Sequence, residues 1–192
     1  MSLPLADQRL ILLTGRSSNA SLLLSPVQEE FLRVVTPPAF EALLLGWPYA
    51  GLGTSGYREP NILAASWRND AQVLRTAASP AYRSRLAASF DAVIRATRRQ
   101  LVVITGSCGL ELFNAAWRAS PIDLRVIALG PACLRPLTLG GVPLLTLRGK
   151  RDRWSRMLYR GRIDIECECG HMDYYRSPEV RGLVRNWLRD AD

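Results

Sequence analysis

Paired cysteines, a membrane-length apolar run and a secretion signal are all missing from this sequence of 192 residues. The cysteines, at positions 108, 133, 167 and 169, lack the paired spacing of a zinc ribbon or a secreted disulfide scaffold, so we expect buried thiols. No apolar stretch approaches the length of a membrane span, and the first residues lack the basic, apolar and small-residue regions of a signal peptide. The sequence therefore predicts a cytoplasmic protein that does not enter a membrane.

Lysine is almost absent, because Lys150 is the only one, yet the net charge is +8. Arginine supplies nearly all of the positive charge. These arginines are scattered along the chain, and acidic residues alternate with them in the last third. This pattern favours a solvated surface rich in arginine over a nucleic-acid binding face.

The length and composition predict one α/β domain covering residues 1–192. The hydrophobic fraction of 48% and the charged fraction of 22% are typical of a globular protein. Strands are predicted at 9–14, 40–45, 101–104, 123–130, 142–149 and 162–169. Helices are predicted at 26–35, from Asn69 or Asp70 towards 100 with a break before Pro80, from 109 to 117, and at 178–188. This alternation predicts a three-layer sandwich with a mostly parallel sheet of about six strands.

The stretch from 101 to 117 organises the predicted fold. A buried strand leads into a tight turn over residues 105–109, and an apolar helix follows. The turn needs small residues on either side of its apex, and Thr105 and Gly109 meet that need around Ser107. The first helix amides and the helix dipole would then face the Ser107 hydroxyl and could stabilise an oxyanion there.

Two other interpretations of this turn stay open. A strand, a glycine turn and a helix also form ordinary α/β packing or a phosphate-binding turn. Cys108 is a rival nucleophile, since thiolates also act on such turns. Its neighbours would be Gly106 and Leu110, and leucine fits poorly, so Ser107 is preferred.

Polar residues follow several of the predicted strands, where chemistry gathers in parallel sheets. Gly15 and Arg16 follow the first strand, and Ser107 follows the central one. Asp152 follows the fifth strand, and His171, the only histidine, follows the last. Serine, aspartate and histidine thus occur in the order used by one large class of serine hydrolases.

The segment Thr-Gly-Ser-Cys-Gly resembles the G-x-S-x-G nucleophile elbow of the α/β-hydrolase superfamily, with Thr105 in place of the first glycine. Asp152 resembles the acid of the family's G-x-x-D segment, although it could equally cap the next helix. His171 stands in a Gly-His pair ahead of the last helix, as the family's catalytic histidine does. Glu168 and Asp173 are alternative acids that look less well placed.

This resemblance implies a small α/β-hydrolase fold without the antiparallel strands that begin many members and without a lid. It implies an oxyanion hole formed by the backbone amides of Arg16 and Cys108. The loop after the first strand has Thr14-Gly15 where members often have His-Gly. Residues expected to line the substrate site are Gly15, Trp47, Tyr49, Trp154 and Met172.

The resemblance also implies a serine esterase or thioesterase in which Ser107 attacks, His171 is the base and Asp152 orients the imidazole. No metal or cofactor is expected. The substrate would be a small-molecule acyl ester or thioester, and the basic surface suits an acidic acyl-carrier protein or coenzyme A. The alternatives are a hydrolase-fold binding or interaction protein with weak catalysis, and a phosphate or nucleotide binder that would not need His171.

Overall fold

The computed structural model describes residues 3–15, 23–47 and 71–189. The strands are β1 (Ala6–Leu13), β2 (Glu41–Trp47), β3 (Thr97–Gly106), β4 (Asp123–Leu129), β5 (Leu144–Gly149) and β6 (Ile165–Cys167). The helices are α1 (Pro26–Val35), α2 (Pro80–Arg95), α3 (Gly109–Ala116), α4 (Arg153–Leu158) and α5 (Pro178–Arg189), and residues 71–78 are helical as well.

The six strands form one sheet in the order β2-β1-β3-β4-β5-β6, and every neighbouring pair is parallel. Successive strand residues face opposite sides. In β1, Leu10 and Leu12 pack with α1 and α5, whereas Ile11 and Leu13 pack with α2 and α3. The sheet is therefore buried on both faces, which confirms the predicted three-layer sandwich.

Helix α1 begins where its sequence predicts. Ser25 caps the helix by accepting a hydrogen bond from the Gln28 amide, while the Gln28 side chain accepts one from the Ser25 amide. Pro26 fits the first turn because that position needs no amide donor. The prediction of a helix over 26–35 is confirmed.

The predicted continuation of the middle helix towards residue 100 is wrong. Helix α2 ends at Arg95, and the hydroxyl of Thr97 donates to the carbonyl of Val93 at 2.8 Å. From Thr97 onward the chain is strand β3, which pairs with β1 and β4. The neighbouring strands thus pair backbone groups that a further helical turn would otherwise have paired. The predicted break before Pro80 is present, with Ser79 as the cap.

The last strand is shorter than predicted. Only three residues, Ile165–Cys167, are strand, because the carboxylate of Asp164 accepts the Thr146 amide at 2.9 Å in place of a backbone partner. The Cys169 amide then turns back to the Cys167 carbonyl. The predicted alternation survives, since Cys167 and Cys169 are buried while the alternating acidic residues Asp164, Glu166 and Glu168 are exposed.

Some predictions concern residues outside the described part. Of the long loop predicted from Gly46 to about Asn61, Gly46 and Trp47 belong to β2 and the rest lies outside it, as do the predicted caps Asn69 and Asp70. Among residues 3–15, 23–47 and 71–189, no helix has the length and apolarity needed to cross a bilayer. The same residues contain no group of three or more His, Cys, Asp or Glu side chains able to hold a metal ion.

Candidate active site

Ser107 lies at the carboxyl end of β3 in a strained turn. Its φ is 53°, and within the described part of the chain it is the one residue other than glycine with a positive φ. The Ser107 amide donates to the carbonyl of Leu129 at 3.1 Å, and its carbonyl accepts from the amide of Ala132 at 3.0 Å. The end of β4 therefore holds Ser107 in a conformation that it would not adopt on its own.

Two glycines beside Ser107 leave room for this turn. A Cβ atom on Gly109 would lie 2.0 Å from the carbonyl oxygen of Leu13, and one on Gly106 would lie 2.1 Å from the hydroxyl of Tyr175. Both distances are far below van der Waals contact. Small residues around Ser107 are thus required by the close approach of β1 and of the turn that carries Tyr175.

Asp152 lies three residues beyond β5 and is fully buried. One carboxylate oxygen, Oδ1, accepts the amide of Ser155 at 2.9 Å and caps α4. The other, Oδ2, is 2.8 Å from Nδ1 of His171. The capping role and the contact with histidine therefore use different oxygens and coexist in one side chain.

His171 lies in the turn after β6, and its side chain is 21% exposed. Its Nε2 is 3.1 Å from Oγ of Ser107. The segment before it approaches β5 closely, since the Arg151 amide donates to the Cys169 carbonyl and a Cβ on Gly149 would lie 2.3 Å from that carbonyl oxygen. This approach brings the histidine from the sheet edge to the centre of the carboxyl-terminal side.

Opposing effects set the ionisation of Asp152. Burial alone raises the pKa of this carboxyl, but hydrogen bonds from His171, the Ser155 amide and Tyr174 outweigh burial and lower the pKa below its ordinary value. An ionised Asp152 can only accept, so Nδ1–H of His171 donates a hydrogen bond to Oδ2. In the neutral imidazole with this tautomer, Nε2 carries no proton and can accept the hydrogen bond of the Ser107 hydroxyl.

Tyr174 is a member of this network that the sequence did not reveal. Its hydroxyl donates to Oδ2 of Asp152 at 2.7 Å and accepts the Gly149 amide at 2.7 Å. The only signal in the sequence is a tyrosine three residues after the single histidine. That signal is weak, because tyrosines are common packing residues.

A second buried carboxylate, Glu111 of α3, also escaped the sequence analysis. Its Oε2 accepts the thiol of Cys133 and the amide of Leu134, each at 3.0 Å, and its Oε1 pairs with the guanidinium of Arg135. These contacts fasten residues 133–135 to α3. The preceding residue, Ala132, is the one that bonds to the Ser107 carbonyl.

The structure describes some of the remaining predicted site residues. Cys108 is buried directly after Ser107, and Gly15 is buried after β1. Trp154 and Met172 are exposed, and Trp47 ends β2. Arg16 and Tyr49 lie outside the described residues.

The alternative acids have other partners. Glu168 is exposed and pairs with Lys150. The carboxylate of Asp173 accepts the Gly170 amide at 2.9 Å. Within the described residues, the carboxylate that contacts His171 is that of Asp152.

Large apolar side chains are exposed on the same side of the sheet. Leu134 follows β4, Trp154 and Met157 lie in α4 after β5, and Met172 follows β6, and each is more than half exposed. Elsewhere the described surface exposes few large apolar side chains. We call these four residues the apolar rim.

No protein-family model matches the chain, and no curated protein matches it in sequence. Solved structures do match it. A carboxylesterase from Mesorhizobium loti has 16% identity and a TM-score of 0.50, with 95% of this chain and 88% of that chain covered. Esterase PE8 has 17% identity and a TM-score of 0.57, with coverages of 98% and 96%. A proposed dienelactone hydrolase from Klebsiella pneumoniae has 13% identity and a TM-score of 0.60, with coverages of 96% and 85%. At these identities the likeness shows a shared fold.

Proposed function

We propose that this chain, which has the α/β-hydrolase fold, is a serine hydrolase that cleaves an acyl ester or an acyl thioester. Ser107 is the nucleophile, His171 its general base and Asp152 the acid that orients the imidazole. The observation that carries the proposal is the unbroken hydrogen-bond series from buried Asp152 through His171 to partly exposed Ser107. A nucleophile, a base and an orienting group in hydrogen-bond reach are what acyl transfer requires.

In the proposed reaction, Nε2 of His171 takes the proton of the Ser107 hydroxyl while Oγ bonds to the acyl carbon. Asp152 stabilises the imidazolium that forms. The tetrahedral intermediate collapses as His171 returns the proton to the leaving alcohol or thiol. Water, activated by the same imidazole, then attacks the acyl-enzyme and releases the acid.

The developing oxyanion would be stabilised by the amide of Cys108, at the amino-terminal end of α3, and by the amide of Arg16 in the loop after β1. Backbone amides at a helix start are well suited to this task because the helix dipole adds to their hydrogen bonds. Arg16 enters only through its position after β1, because it lies outside the described residues.

The surroundings favour an apolar acyl group and an anionic leaving group. The apolar rim exposes large apolar side chains on the segments that follow β4, β5 and β6, at the end of the parallel sheet where Ser107 and His171 also lie. Arg151 and Arg153, which flank Asp152, are exposed and form no ion pair with the described residues. They could contact the phosphates of a coenzyme A thioester or an acidic carrier protein. Esterase names among the structurally similar proteins support an ester substrate.

Labelling with a fluorophosphonate tests the proposal, because this probe bonds covalently to activated serines. The native protein should be labelled, whereas Ser107→Ala and His171→Ala should be silent although folded by circular dichroism. Cys108→Ser is the matched control and should still be labelled. A folded native protein that stays unlabelled, or labelling that survives Ser107→Ala, would overturn the proposal and favour a non-catalytic binding role.

A substrate panel then separates the leaving groups. Activated 4-nitrophenyl esters and acyl-coenzyme A thioesters of equal chain length should be compared for the native protein and for Arg151→Ala with Arg153→Ala. If the leaving group is anionic, the double variant should lose thioester cleavage at low salt while ester cleavage persists.

A further inference from the structure

Tyr174 connects three parts of the site that are far apart in sequence. Its hydroxyl accepts the amide of Gly149 at the end of β5 and donates to Oδ2 of Asp152, the same oxygen that faces Nδ1 of His171. Tyr174 and His171 share one turn, and their rings meet edge to face with centroids 6.5 Å apart. The tyrosine thus links the histidine turn to the acid and to the sheet.

We infer that Tyr174 is a positioning residue for the proposed reaction: it fixes the carboxylate of Asp152 towards His171 and tunes how strongly that carboxylate attracts the imidazolium proton. This inference rests on the proposed function. Tyr174 does not touch the reacting atoms and acts through Asp152.

The packing around Tyr174 fixes the position of its hydroxyl. Tyr174 is 3% exposed. A Cβ on Gly130, whose φ is +53°, would lie 2.5 Å from Cε2 of Tyr174 and 2.7 Å from Oδ2 of Asp152. Glycine at the end of β4 therefore makes room for the ring and the carboxylate together. A side chain at position 130 would separate them.

Few other titratable groups face Asp152. The side chains of His171 and Tyr174 come from the turn after β6, and the thiol of Cys169 comes from the segment just before that turn. The start of α4 contributes the Ser155 amide, which does not titrate. Burial raises the pKa of Cys169 to about 11, so this thiol is neutral in the working range. Burial also raises the pKa of Tyr174, so its hydroxyl remains a donor. A pH effect near neutrality would therefore report on the pair of His171 and Asp152.

Removing the Tyr174 hydroxyl should raise the pH midpoint at which activity is lost in acid. In Tyr174→Phe, Oδ2 of Asp152 loses a donor that shares its negative charge, so more charge faces Nδ1 of His171 and stabilises the imidazolium. The midpoint of the acid limb of kcat/KM against pH should rise by about half to one pH unit. The plateau of kcat should fall about tenfold while KM changes little, because a carboxylate that is no longer fixed towards His171 orients the imidazole less well in the transition state.

The matched control is Tyr159→Phe, the same change at another buried tyrosine, which lies at the carboxyl end of α4 and pairs with Cys133 through the backbone. Its pH midpoint should equal that of the native protein, measured with a 4-nitrophenyl ester. A purely structural role for Tyr174 would reduce the melting temperature and the amount of active protein and leave the midpoint in place. That result would overturn the inference.

The single histidine permits a second measurement that needs no catalysis. NMR titration of the imidazole follows His171 without overlap from other histidines. The titration midpoint should move upward in Tyr174→Phe. If that variant does not fold, protein made with 3-fluorotyrosine keeps the ring and has a more acidic, stronger donor, so the midpoint should move downward.

These two readouts separate the possible failures. An unlabelled native protein whose His171 titration still shifts in Tyr174→Phe would refute the proposed hydrolase and leave the positioning role intact. The native protein could instead be labelled and active while the midpoint of His171 stays in place, or moves in the opposite direction, in both Tyr174→Phe and the 3-fluorotyrosine protein. That result would refute the positioning role alone.

Discussion

Two buried carboxylates in this molecule illustrate how similar environments can serve different ends. Asp152 and Glu111 are both almost fully buried, and in both the pKa lies below its ordinary value although burial alone would raise it. Glu111 is held by the Cys133 thiol and by the permanent cation of Arg135. Asp152 is held by His171, whose charge depends on a proton and whose other nitrogen meets a partly exposed hydroxyl.

The difference lies in the partner and in its access to solvent. An arginine stays charged at all working pH values, so the Glu111 pair can only hold structure together. It fastens the segment after β4 to α3. A histidine can gain and lose a proton near neutrality, so the Asp152 pair can take part in proton transfer. A buried carboxylate therefore indicates function chiefly when its partner titrates and contacts a reactive group.

The largest expected effect is that of Asp152→Asn. The amide keeps nearly the same shape and still accepts the Ser155 amide, but it cannot stabilise the imidazolium and can favour the wrong tautomer. We expect kcat/KM for a 4-nitrophenyl ester to fall on the order of 10⁴-fold. The melting temperature should change little. Activity within tenfold of native would remove the distinction between the two carboxylates.

Gly130→Ala should disturb the Asp152 site without changing any of its polar groups. The new methyl group would collide with Tyr174 and Oδ2 of Asp152, and alanine is strained at φ +53°. We expect a loss of activity of about 100-fold, because small displacements of catalytic groups are costly.

Gly140→Ala is the control for backbone strain. Its φ is +60°, but a Cβ there meets nothing within 4 Å. It should destabilise the fold by about 1 kcal/mol and leave kcat/KM unchanged. Equal losses of activity in the two variants would mean that strain, and not the collision, disturbs the site.

Glu111→Gln should reduce the stability of the fold more than the activity, which is the reverse of Asp152→Asn. The amide cannot pair ionically with Arg135 and leaves the donors around it poorly matched, so the free energy of unfolding should fall by about 2 kcal/mol. Activity per folded molecule should stay within a few-fold of native. Chemical denaturation combined with active-site labelling separates the two quantities. A loss of activity as large as that of Asp152→Asn would show that the Ser107 turn depends on Glu111 to keep the segment after β4 in place.

The smallest effect concerns acid stability. Both carboxyls have a lower pKa in the folded protein than in the unfolded chain, whose ordinary values are 3.8 and 4.5. The unfolded chain thus takes up protons first as the pH falls. The stabilisation they provide is complete above about pH 4.5 and is lost as the pH falls through the folded-state pKa values. Between pH 7 and pH 2.5, the free energy of unfolding should fall less steeply for Glu111→Gln than for the native protein.

Much of the fold could be predicted because its signals are local. Apolar runs mark the strands, and Ser25, Pro26 and Gln28 together specify the start of α1. The errors arose where pairing between distant segments overrides local preference. Thr97 to Gln100 continue a helical pattern in sequence, yet β1 and β4 draw them into the sheet. Likewise, β6 is shorter than predicted because the Asp164 carboxylate accepts the Thr146 amide in place of a backbone carbonyl.

The candidate site was predictable where a residue lies within a few positions of the end of a strand. Ser107, Asp152 and His171 each occupy such a position, and parallel strands end on the same side of a sheet. Their assigned roles stay predictions. Tyr174 and Glu111 could not be found in this way, because their partners lie 19 or more residues away in sequence and are brought near only by folding.

The sequence by itself determined the layered α/β architecture and which polar residues stand at the strand ends, since both follow from periodicity and turn chemistry. The tertiary structure alone decided which carboxylate meets the histidine, which tyrosine supports that carboxylate and which glycines must remain glycine. The physical reason is that these choices depend on distances of 2–3 Å between segments that are remote in the chain, and packing across the sheet sets those distances.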